Sequence, residues 1–138
     1  MDEETIVDQI RSRNFNLRKD FDSIKRSSKH SNVVMIVDEI IKEMGKYSRC
    51  LEEKNKICTG TKKEDMKIWS FREVRKADPE SLQSVLLYIS GKLGEEVNRE
   101  KEMIKDLNQD YVKKYVEAMD KLRIDVEYLY HNLVEKQL

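Results

Sequence analysis

Residues 79–138 read PESLQSVLLYISGKLGEEVNREKEMIKDLNQDYVKKYVEAMDKLRIDVEYLYHNLVEKQL, and the spacing of their apolar side chains decides the fold. From Leu82 these fall at 82, 86, 89, 93 and 97, then at 104, 107, 111, 115, 118, 122, 126, 129 and 133. Position 100 is in phase but holds Glu100. The phase repeats every eleven residues, with Leu82, Leu93, Ile104, Tyr115 and Val126 forming one thread. Eleven residues per three turns is close to the natural α-helix, so such a stripe needs almost no supercoil. The spacing predicts one long C-terminal helix over 79–137, roughly 85 Å if unbroken. A chain reversal at Asn108-Gln109-Asp110 is the alternative, giving two helices of ordinary length. The unbroken phase through 104, 107, 111 and 115 favours continuity.

The start of this stretch is well marked. Asp78 suits an N-cap, Pro79 the first helical position, and Glu80 the positive end of the helix dipole. Residues 82–93 and 111–134 are rich in apolar side chains, whereas 94–110 offers only Val97, Met103, Ile104 and Leu107. Gly91 and Gly94 could permit a bend or the close approach of another helix.

Upstream, three further helices are expected. The first spans about 3–27, with Ile6, Ile10, Leu17, Phe21 and Ile24 on one stripe and Val7 beside it. Asn14 interrupts that stripe, and the adjacent Phe15 is expected to carry the bulk. The polar run Ser27-Ser28-Lys29-His30-Ser31-Asn32 reads as a turn, with Ser31 or Asn32 as the next cap. The second helix spans about 32–57. Its residues Val33, Val37, Ile40, Met44, Tyr47 and Leu51 alternate at spacings of four and three, a heptad seam. Gly60 suits its end. Thr61 and Glu64 form a capping-box pattern opening a short third helix, about 62–76, in which Trp69 is expected to be buried.

Composition agrees with helices. The 138 residues include one Pro and four Gly, and 39% are charged. So few turn residues exclude a β-sandwich or barrel. The longest apolar run, Val33 to Val37, is far too short to span a bilayer. The acidic opening Asp2-Glu3-Glu4 is unlike a secretory leader. An intracellular setting, cytoplasmic or nuclear, is expected. Cys50 and Cys58, about 12 Å apart on one helix, are too distant for a mutual disulfide.

Charge is zero overall but uneven. Residues 11–76 carry 18 basic and 10 acidic side chains, and residues 77–138 carry 9 basic and 13 acidic. Basic helices lying against an acidic one is the simplest cause. The functional reading is non-specific phosphate contact through Arg11, Arg13, Arg18, Lys25, Arg26, Lys62, Lys63, Arg72 and Arg75, as in a small accessory subunit of a nucleic-acid-handling complex. No recognition-helix turn, RNA-binding aromatic signature or zinc knuckle accompanies these residues.

Catalytic chemistry is poorly supported. There is no phosphate-binding Gly loop, zinc Cys pair or nucleophile elbow. Glu127 and His131 share a helix face but lack the third and fourth ligands of a metal site. No cofactor is expected. The sequence therefore predicts one all-α domain, an elongated helical bundle of coiled-coil character. It predicts a non-catalytic interaction or scaffold subunit. A long helix has more apolar stripe than the first half can cover. Tyr111, Tyr115, Leu122, Val126, Leu129 and Leu133 are therefore expected to form an interface with a second copy or a partner helix.

Overall fold

A computed structural model of the chain describes the backbone of residues 2–54 and 79–137. Four helices are present among these residues: α1 (Glu3–Ser27), α2 (Ser31–Glu52), α3 (Pro79–Met103) and α4 (Asp110–Gln137). The described residues are all-α. The short helix expected at 62–76, with Trp69, lies outside them, as does Cys58.

Helix α1 has the expected bounds because both ends are chemically marked. The Asp2 carboxylate accepts a hydrogen bond from the Thr5 amide at 2.8 Å. Glu3 and Glu4 sit in the first turn, and Lys25 and Arg26 in the last, each charge opposing the dipole end it occupies. Ile6, Val7, Ile10 and Phe21 are buried, and Leu17 and Ile24 pack against the core. At the interruption of the stripe the expectation fails: Asn14 points inward and Phe15 outward. Phe15 lies beneath the Arg18 and Lys19 cations instead.

Helix α2 begins at Ser31, capped by the His30 backbone without a side-chain bond. It ends at Glu52, short of the expected 57. Lys54 takes the left-handed conformation at φ 51°, and its amide reaches the Leu51 carbonyl. The heptad seam thus runs out where Leu51, its last apolar member, is buried. All six seam residues are buried.

The predicted long helix is broken. It stops at Met103 and resumes at Asp110. Ion pairing of Lys101 with Asp120, at 3.3 Å, shows that α4 folds back along α3. At Gly94 an added Cβ would lie 3.3 Å from the Arg123 side chain, so the glycine admits close approach there. Gly91 faces open space. The reversal wins because it buries both apolar stripes within one chain, and burial of apolar surface is the dominant driving force. The phase survives because Ile104 and Leu107, in the turn itself, still cover the core.

The four helices share that core. Helix α1 contacts α2 and α3, while α4 contacts α2 and α3, with α3 and α4 the most extensively packed pair.

Candidate functional site

The two polar residues that interrupt the apolar stripes meet. Asn14 of α1 and Glu100 of α3 are each 1% exposed, and Tyr115 of α4 lies between them, fully buried. Asn14 Nδ2 donates to the Tyr115 hydroxyl at 2.9 Å and to the Met44 carbonyl of α2 at 3.2 Å. Asn14 Oδ1 accepts from Arg18 Nε at 2.7 Å. Gly45 leaves room for that guanidinium, since an added Cβ would come within 3.3 Å of it. The Tyr115 hydroxyl also lies close to the Glu100 carboxyl and draws its pKa down. All four helices therefore contribute to one polar cluster inside the core.

A second carboxylate lies one turn from Glu100. Glu96 is buried, and Arg13 Nε spans both its oxygens at 2.9 and 2.8 Å. Among the described residues Glu100 has no such cation, and its Oε2 has no hydrogen-bond partner. Burial, and then the neighbouring Glu96 charge, push the Glu100 carboxyl up to about 9, against the opposing pull of Arg13 and Tyr115. Glu100 is thus a neutral acid at pH 7. Burial likewise raises Tyr115 well above an ordinary phenol. The pair is shielded from bulk water, and buried polar groups of this kind can fix how helices register.

The interface residues expected from sequence are in the wrong place for an open face. Tyr111, Tyr115, Leu122, Val126, Leu129 and Leu133 are all buried within the chain's own core. The expectation of an open face assumed an unbroken helix; in the single chain the hairpin covers these residues. Tyr111 sits at the edge, hydrogen-bonded to Glu3 of α1.

The basic residues expected to meet phosphate are divided. Arg11 pairs with Glu52, Arg13 with Glu96, Lys25 with Asp22 and Asp38, and Arg26 with Asp22. Arg18 serves the buried cluster. Lys62, Lys63, Arg72 and Arg75 lie outside the described residues. Of the pairings, only Arg13–Glu96 joins the basic half to the acidic one. Among the described residues, Arg11, Lys25, Arg26 and Lys42 are answered within the first half itself.

Glu127 is engaged by Arg123 at 2.8 Å, and His131 packs edge-on against Tyr130. Among the described residues no group of three or more His, Cys, Asp or Glu is placed to hold a metal. Cys50 is a free, buried thiol. An open hollow of about 800 Å³ lies between the end of α1 and the start of α3, lined by Ser27, Lys29, His30, Ser81 and Ser84 among others. No member of the polar cluster lines it. No described helix is long and apolar enough to cross a membrane.

One outward feature was missed in the sequence. Ile124 and Tyr128, one turn apart on α4, are 49% and 54% exposed. Their signal was present as apolar residues out of phase with the buried stripe.

No protein-family model, curated protein or solved structure matches this chain.

Proposed function

We propose that the chain is a non-catalytic interaction or scaffold subunit, an elongated helical bundle that binds a partner helix on the outer face of α4. The observation that carries this reading is the exposed pair Ile124 and Tyr128. Two large apolar side chains at i and i+4 form the minimal ridge that a partner helix can grip. Exposed Glu117, Lys121 and His131 flank the pair, giving the apolar centre and polar rim usual for interfaces. The other large exposed side chains, Phe15, Leu87 and Tyr88, have no second large exposed apolar side chain one turn away. An intracellular setting fits the free Cys50 thiol. Internal pairing of Arg11, Arg13, Lys25 and Arg26 works against the alternative of an accessory subunit contacting nucleic acid.

The test is affinity purification of the native chain beside an Ile124→Asp/Tyr128→Asp variant, with quantitative mass spectrometry. A protein partner lost by the variant, whose thermal unfolding is unchanged, is the expected result. Partners retained in full, or recovery of nucleic acid alone, would overturn the proposal.

A further inference from the structure

We propose that the α3–α4 hairpin is exchangeable: in a domain-swapped dimer, residues 104–109 straighten and α4 of each copy packs on α3 of the other.

The turn is built in a way that permits this. Residues 104–109 are Ile-Lys-Asp-Leu-Asn-Gln, with neither Gly nor Pro. Many helices end on a left-handed residue, but the only described non-glycine residue with positive φ is Lys54, at the end of α2. Every residue of the α3–α4 turn therefore has a negative φ, and none has to leave the left-handed region for the turn to straighten. Ile104 still bonds back to Glu100 as a helical residue would, at 3.0 Å, and Leu107 bonds to Ile104 at 3.0 Å in a tighter turn. Straightening would add regular hydrogen bonds.

The apolar phase supplies the second argument. It passes through the turn at 104 and 107 without a slip. A straightened segment would keep those side chains on the same stripe as Val97 and Tyr111. Two such segments would lie side by side at the two-fold axis, with Ile104 and Leu107 of one copy facing their equivalents.

A second copy, rather than an unrelated helix, is the occupant that suits α3. With α4 removed, Glu100 would face its new neighbour from a buried position. Its carboxyl needs a hydroxyl at the place of Tyr115, and Asn14 needs the same hydroxyl as acceptor. An apolar helix would leave both unsatisfied, which is costly in a core. Only α4 carries Tyr115 in this register, opposite Lys101 paired with Asp120. In the swapped dimer the partner copy supplies Tyr115, and every α3–α4 contact is remade with the same residues. Only the turn differs, which is why swapping is a low-cost route to dimers.

Spin labels at Lys92→Cys and Lys121→Cys, in a Cys50→Ala/Cys58→Ala background, test the proposal. Labelled chain is mixed in urea with excess unlabelled chain and refolded at high concentration, so that measured distances are intrachain. Monomer and dimer are then separated by size. In the closed monomer the labels sit on adjacent antiparallel helices, offset by one to two turns and roughly 20 Å apart allowing for the label arms. In the swapped dimer they lie roughly 44 Å apart along one helix. Asp106→Ala/Asn108→Ala raises helix propensity in the turn of both copies and should increase the dimerisation constant on the order of fifty-fold. A dimer with the short intrachain distance, or an alanine variant that stays monomeric at millimolar concentration, would overturn the proposal. Ile124→Asp/Tyr128→Asp lies on the outer face and should leave the swapped dimer intact, which separates this result from the partner-helix reading.

Discussion

The α1–α2 pair and the α3–α4 pair are both antiparallel in effect, yet the first announces its turn plainly and the second only weakly, at Asn108-Gln109-Asp110. Between α1 and α2 the chain runs Ser28-Lys29-His30, with further serines on either side. Short hydroxyl side chains compete for backbone hydrogen bonds and favour caps over helix interiors; the His30 amide bonds to Ser28 Oγ at 3.3 Å. Between α3 and α4 the chain has Asp106 and Asn108, then Asp110 at the start of α4, but no Gly, Pro or Ser, and keeps its apolar phase. The lesson is that apolar phase reports which face is buried, and not which element buries it. A stripe is satisfied equally by a neighbour further along the chain and by the chain folding back.

The largest expected effect breaks the second pair. Leu122→Asp would place a carboxylate in the core between α3 and α4. Burying an unpaired charge should cost more than about 4 kcal/mol, enough to prevent folding of a small domain. Ile124→Asp, two residues on but facing outward, should change stability by less than about 0.5 kcal/mol. Urea denaturation monitored by circular dichroism compares the two. A Leu122→Asp chain that melts like the wild type would mean that α4 does not present this face to the core.

The next effect has the opposite sign. Glu43 of α2 is buried and accepts from the Tyr47 hydroxyl, and Glu96 of α3 is buried and held by Arg13, whereas the buried Glu100 of α3 has no cation across it among the described residues. Glu100 is held at about 9 against an ordinary 4.5. Below pH 4.5 the acid is protonated in both folded and unfolded chains, and contributes no pH dependence. Between 4.5 and 9 only the unfolded chain releases its proton, so stability falls as pH rises. Glu100→Gln keeps the shape and removes that loss. It should match the wild type near pH 4 and be more stable by about 3 kcal/mol at pH 7, at 1.36 kcal/mol per unit. Denaturation midpoints across pH 4–9 measure this. Equal stabilities at both pH values would show that Glu100 is hydrated and ionised.

Most of the fold was legible for a physical reason. Helix α1 was bounded at its end by the polar run at Ser27, and α3 at its start by Asp78 and Pro79, local signals that need no tertiary partner. The end of α2 was missed because Glu52 and Glu53 are good helix formers, and nothing local marks the left-handed Lys54. The polar cluster was half legible. Asn14 and Glu100 both stood out as polar residues at apolar positions, but nothing in the sequence said that they meet. That depends on the reversal at 104–109, which brings Tyr115 back to α3. The exposed pair Ile124 and Tyr128 was overshadowed by the stronger stripe beside it.

The smallest expected effect concerns the charges that bridge the second pair. Lys101 of α3 meets Asp120 of α4 at 3.3 Å, with Lys101 just over half exposed. Asp120 also accepts from Arg123 Nε at 2.8 Å. Partial burial pushes the Asp120 carboxyl up, and the hydrogen bonds from Arg123 and Lys101 outweigh it, leaving it below the ordinary carboxylate range. Asp120 keeps one cation even when Lys101 is removed. An exposed pair of this kind gains little in water and costs side-chain entropy to hold. A double-mutant cycle with Lys101→Ala and Asp120→Ala should give a coupling of about 0.5 kcal/mol or less, shrinking further in 1 M salt. A coupling above about 2 kcal/mol that persists in salt would mean that the hairpin is held shut by its charges. The small value instead leaves closure to the apolar stripes and the Glu100–Tyr115 contact, the same interactions that a second copy could supply.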